Sequence, residues 1–172
     1  MLRPTSRDEE FAEFVAACSP QLYRSAYLLT TSAPAAEDLV QTALAKVYAS
    51  WWRVRGADDP VAYAHGVLTK SFLSERRRRS SRELPIPNPP DRPATDADPT
   101  DRLALMAALA ELAPLDRAVV VLRFWEDRSV AQTAADLHLT EAAVKNRSLR
   151  ALRSLRGLLA DNTSSPLNGS RR

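Results

Sequence analysis

Glycine is scarce in this 172-residue chain, which holds four, and none of them belongs to a glycine-rich phosphate loop. A single cysteine, Cys18, excludes an internal disulfide and any multi-cysteine zinc site. It closes an apolar helical pattern and reads as a small core residue. No HExxH motif or Cys/His cluster is present. Acidic pairs such as Asp58 with Asp59 and Asp96 with Asp98 fall in loops with nothing convergent around them. A catalytic residue, a metal site and a cofactor are therefore not expected. No apolar run approaches the roughly 18 residues needed to span a bilayer. The N-terminal MLRPTSRDEEF lacks the apolar core of a signal peptide. A cytoplasmic protein without membrane insertion is expected. Alternating strand patterns are missing too, which points to an all-α fold.

Hydrophobic residues make up 45% of the chain, enough for the cores of one domain or two small ones. Ser6 and Glu9 form a capping box that opens a helix through Phe11, Phe14 and Val15. Ser19-Pro20 reads as a second start, with proline at the first helical position. Ser32 and Pro34 open a third helix, AAEDLVQTALAKVYASWW, with Leu39, Ala43, Val47 and Trp51 inward. Asp59-Pro60 opens a fourth, running to about Arg79. Residues 80–99 then hold six prolines, several acids and no aromatic residue. Proline at that density prevents helix, so this is a linker, able to span on the order of 60 Å if extended. Composition leaves open a passive tether or an acidic strand laid in a basic channel. A second domain follows over 100–160: a helix at 103–112, another after Pro114, and a helix-turn-helix. Residues 161–172 are expected to be a disordered tail.

The helix-turn-helix, residues 129–156, is the most telling stretch. Ser129 caps its first helix, with Val130, Ala134 and Leu137 on one side. A break follows at His138-Leu139, and Thr140 caps the second helix. Val144, Ala151, Leu152 and Leu155 share that helix's buried stripe. Lys145, Arg147, Arg150, Arg153 and Arg156 lie off the stripe or at its margin, and residues 142–160 hold no acid. A solvated charged face would normally interleave both signs. Such a second helix enters the DNA major groove. Lys145, Asn146 and Arg147, near its start, can reach base edges, while Arg150 and Arg153 suit phosphates. Net charge is only +3, but the cations gather at the C-terminal ends of two mildly basic blocks, residues 1–79 and 101–160.

Taken in series, these pieces resemble a bacterial sigma factor of the sigma-70 family, of the small extracytoplasmic-function (ECF) type. AEDLVQTALAKVYASWW resembles regions 2.1–2.2, and YAHGVLTKSFLSERRRR stands where regions 2.3–2.4 would lie. ALAELAPLDRAVVVLRFWEDRSVAQTAADLHLTEAAVKNRSLRALRSLR resembles region 4 along its length. The resemblance implies two all-α domains, over 1–79 and 100–160, joined by the proline linker. Asp38, Leu39, Gln41 and Thr42 match the face that grips the β′ coiled coil of core RNA polymerase. Taken alone, Asp38 would only complement a helix dipole. Trp52, Arg53, Arg55, Lys70, Ser71, Ser74, Arg76 and Arg77 match positions that handle the −10 element. Trp51 is assigned to the core, Trp52 equally to core or surface, and Tyr63 is a further aromatic candidate. Arg123, Thr140, Lys145, Asn146, Arg147, Leu149, Arg150 and Arg153 match the −35 reader, with Leu149 read more as packing than as a base contact. Implied partners are core RNA polymerase (β′ and β subunits), promoter DNA and an anti-sigma factor.

Three residues depart from the family pattern. His138 stands where the turn usually has glycine, Thr133 where an aliphatic residue anchors the first helix, and Lys70 where asparagine is common. His65 is expected on a solvated helix face. The competing function is a stand-alone helix-turn-helix regulator with an N-terminal dimerisation or sensing domain. A sensor calls for a ligand pocket, whereas residues 1–79 end in a basic helix.

Overall fold

The computed structural model describes residues 6–82 and 99–163, and these are helical apart from turns. The chain divides into two compact units, 1–87 and 88–172. Of the linker expected over 80–99, residues 83–98 lie outside the described residues, as does most of the C-terminal tail; residues 80 and 81 still belong to the helix before it and Pro99 to the helix after it.

In the first unit, α1 (Arg7–Thr30), α2 (Ala33–Ala49) and α4 (Pro60–Ser81) pack on one another, and the short α3 (Trp51–Val54) follows α2. The Ser6/Glu9 capping box is present at the start of α1. The second start expected at Ser19-Pro20 does not occur: α1 runs through Pro20 unbroken. Cys18, Leu22, Ala26 and Leu29 continue one buried stripe past the proline, and their packing outweighs the lost backbone bond. The Ser19 hydroxyl donates to the Val15 carbonyl at 2.6 Å in the same turn. Leu22, Leu29, Leu39, Val47, Val54 and Leu68 fill the core. Trp51 is buried there against Phe11 and Phe14, at ring distances of 5.2 and 4.9 Å. Arg7 and Asp8 fasten the start of α1 to Tyr48, through the Tyr48 carbonyl and hydroxyl respectively. Asp59 caps α4 by accepting from the Ala62 N–H at 2.9 Å. His65 is a correction: it faces the interior of α4's packing and is buried, because it shares a side with Leu68 and Thr69.

The second unit consists of α5 (Pro99–Glu111), α6 (Pro114–Val120), a π-helical turn (Val121–Trp125), α7 (Val130–Leu137) and α8 (Glu141–Thr163). It is the four-helix unit with a helix-turn-helix that the patterning predicts. Helix α8 reaches Thr163, so the first residues of the expected tail continue the helix. Its core is built from Val119, Leu122, Val144, Ala151 and Leu155, with Ala134 and Leu137 from α7. Leu152, expected in that stripe, is half exposed instead, and Ser148 takes the buried place, its hydroxyl donating to the Val144 carbonyl.

Candidate nucleic-acid and polymerase surfaces

The helix-turn-helix is set by local chemistry at both ends of α7. The Ser129 hydroxyl accepts from the Gln132 N–H at 3.1 Å, and the Gln132 side chain accepts from the Ser129 N–H at 2.9 Å. Helix α7 ends at His138 in the left-handed region (φ 54°), and the Leu139 N–H returns to the Ala134 carbonyl at 2.9 Å. Histidine thus adopts the conformation the turn requires of glycine, at a conformational cost. Thr140 then caps α8 by accepting from the Ala143 N–H at 3.1 Å.

Helix α8 leaves Lys145, Asn146, Leu149 and Arg153 exposed along the side opposite its buried stripe. Leu149 is 65% exposed, so the packing role expected of it is corrected: the residue stands in the middle of the outward face. Arg147 is less exposed than its neighbours on that face. Its guanidinium donates to Asp116 Oδ1 at 2.6 Å, leaving the side chain 30% exposed and drawn towards α6. Arg150 also donates to Asp116, at 3.0 and 2.9 Å to its two oxygens, but remains 63% exposed. Arg123 donates to the Arg128 carbonyl, and Arg128 in turn pairs with Asp136 at 2.5 Å. Arg123 therefore buttresses the entry to α7 and is only half exposed. Beside it Phe124 and Trp125 are half exposed on the π turn, at positions without a sequence signature.

In the first unit, Asp38, Gln41, Thr42 and Ala45 are exposed on α2 at spacings that keep them on one face. Leu39 is not part of it: at 1% exposed it belongs to the core, one helical step round from Asp38. Trp52 is 70% exposed, with the Arg53 guanidinium 5.9 Å from its ring centroid. Arg55 is exposed and pairs with Glu10 at 3.1 Å. On α4, Lys70, Ser74 and Arg77 form one stripe away from buried Leu68 and Phe72. Ser71 is corrected: it is buried and its hydroxyl accepts from Lys46 Nζ at 2.8 Å, tying α2 to α4. Arg76 lies half-buried, 5.7 Å from the Phe72 ring centroid, and burial together with the charge of Arg79 lowers its pKa.

Residues 14–82 match the model of sigma-70 region 2, and residues 102–155 match that of sigma-70 region 4. The RNA polymerase sigma-E factor of Streptomyces coelicolor is 39% identical, over 86% of this chain and 84% of its own. The ECF RNA polymerase sigma factor SigL of Mycobacterium tuberculosis is 33% identical, over 78% and 80%. Among solved structures, the sigma factor RpoE in complex with the anti-sigma factor NepR from Bartonella quintana superposes with a TM-score of 0.76 at 26% identity. That match covers 88% of this chain and 97% of RpoE. The chain belongs to the sigma-70 family of RNA polymerase sigma factors, as an ECF-type member that recognises promoters and initiates transcription.

Proposed function

We propose that the two units divide the work of promoter recognition. Residues 100–160 hold the −35 element through the outward face of α8, with Lys145, Asn146 and Leu149 towards base edges and Arg150 and Arg153 towards phosphates. Thr140 is exposed at the N-terminal cap of the same helix. Residues 1–79 bind core RNA polymerase through Asp38, Gln41 and Thr42 and handle the −10 element through Trp52, Arg53, Arg55, Lys70, Ser74 and Arg77. The exposed Trp52 suits stacking on an unpaired base, and the arginines beside it suit the displaced backbone. The observation that carries this reading is the exposed face of α8, free of acids over residues 142–160, on a capped helix-turn-helix.

The sigma factor works in the cytoplasm, on the chromosome, and its own side chains catalyse no reaction. RpoE's complex with NepR supports an anti-sigma factor as a third partner, beside core polymerase and promoter DNA. Reconstitution of the full chain with core RNA polymerase on a promoter library tests the assignment. Promoter-specific run-off transcripts are expected. Tight, sequence-specific DNA binding without core and no transcripts with it would establish a stand-alone regulator instead.

A further inference from the structure

Asp116 is an acidic side chain that reaches two cations of α8 at once. It occupies the first turn of α6, behind Pro114, where unpaired backbone N–H groups favour an acid. It is also 7% exposed, and a carboxylate so enclosed requires partners. Both partners, Arg147 and Arg150, come from α8, three residues apart on one side of the outward face. One negative charge therefore holds two guanidiniums before any DNA arrives. Arg147, the less exposed, is drawn aside. Arg150 keeps N–H donors in solvent at a fixed angle.

We propose that Asp116 is a positioning residue for −35 recognition. It orients Arg150 for a phosphate, keeps Arg147 off the DNA, and subtracts one charge from the reading face. This rests on the assignment of α8 to the −35 element. The subtraction has a sign. Losing the carboxylate releases a cation to any DNA, so binding to unrelated sequence tightens while discrimination falls, because two flexible guanidiniums replace two oriented ones.

The test uses holoenzyme reconstituted from the full chain and core RNA polymerase. The probes are the duplex that wild type selects from a library randomised in its upstream element, and a scrambled version of it. With Asp116→Asn, the preference for the selected duplex is expected to fall about tenfold. The slope of log affinity against log salt is expected to steepen by about one. Asp116→Glu, which keeps the charge, should restore part of the preference. Arg147→Gln should lower the preference and leave the slope unchanged, since that side chain meets no phosphate. Unchanged preference and slope in Asp116→Asn, or parallel loss of affinity for both duplexes, would overturn the role. If Asp116→Asn does not fold, Arg147→Gln decides: a slope shallower by about one would mean that Arg147 itself meets a phosphate, and the role falls. A wild-type holoenzyme with no preference at the upstream element would overturn the −35 assignment itself, whereas wild-type preference with an unaltered Asp116→Asn overturns only the positioning.

Discussion

Thr133 is fully enclosed in the second unit, and its Oγ1 has no hydrogen-bond partner among the described residues. A buried hydroxyl left unpaired costs about 1–3 kcal/mol. Valine has nearly the same shape without the hydroxyl, so Thr133→Val is expected to raise stability by about 1 kcal/mol or more. A higher urea midpoint of the second unit's transition would show it; an unchanged or lower midpoint would mean the hydroxyl is satisfied. The sequence marks Thr133 as out of pattern because an aliphatic residue is expected there, and the structure explains why that expectation exists. His138 is legible for the same reason. A positive φ depends on the residue itself and its immediate neighbours, so a missing glycine shows in the sequence. Thr31 and Asp127 adopt the same region (φ 58° and 52°) without drawing notice, since neither stands at a recognised turn. Cys18 behaves as composition suggests: buried, with burial raising its thiol pKa and so suppressing the reactive thiolate.

At the scale of elements, what is written within four residues was legible and what depends on distant packing was not. The capping boxes at Ser6 and Ser129, the Asp59 and Thr140 caps and the prolines at 34, 60 and 114 all mark real helix starts. Pro20 carries the same signal and marks none, because the stripe from Cys18 to Leu29 holds α1 together across it. That arrangement has a measurable cost. Pro20→Ala restores an N–H for the Ala16 carbonyl and removes the ring from the helix interior. It should stabilise the first unit by about 1–3 kcal/mol. Fluorescence of buried Trp51 during urea unfolding reads that unit. A lower midpoint would show that the proline is accommodated without strain and that its ring contributes packing. The Asp116 pairs lie 31 and 34 residues apart in sequence, and no local pattern links them. Leu39, Ser71 and Arg147 are less exposed than the family positions imply, for one shared reason. A family position names a residue's neighbourhood, while burial depends on which way the helix turns within one step.

For the whole molecule, two chemically different surfaces lie on separately packed units. The face of Asp38, Gln41 and Thr42 is short, polar and mixed, suited to a protein partner. The face of Lys145, Asn146, Leu149 and Arg153 is cationic with an apolar centre, suited to a groove. Net charge reveals neither, at +3 for the chain; only clustering does. Replacing Asp38 and Gln41 together with alanine should weaken binding to core polymerase at least tenfold, the worth of roughly 1.4 kcal/mol. Circular dichroism and the thermal midpoint should stay unchanged, because both side chains are exposed. Core affinity retained in that double variant would move the polymerase contact elsewhere on the unit. Loss of fold together with affinity would mean that these residues serve structure.

The π turn of Val121–Trp125 has a consequence for insertions and deletions. There the Glu126 N–H reaches back five residues, to the Val121 carbonyl, and the Arg128 N–H reaches the Leu122 carbonyl. One extra residue is thereby taken up in the coil before the chain turns into α7. Removing a single residue from this turn would give an ordinary helix with better backbone geometry and leave the chain on either side in register, because the wide turn is what absorbs that residue. Removing one from the regular coil of α6 would instead rotate everything beyond it by about 100°, one residue's step around a helix of 3.6 per turn. This stretch can therefore shorten by one residue where the helices beside it cannot.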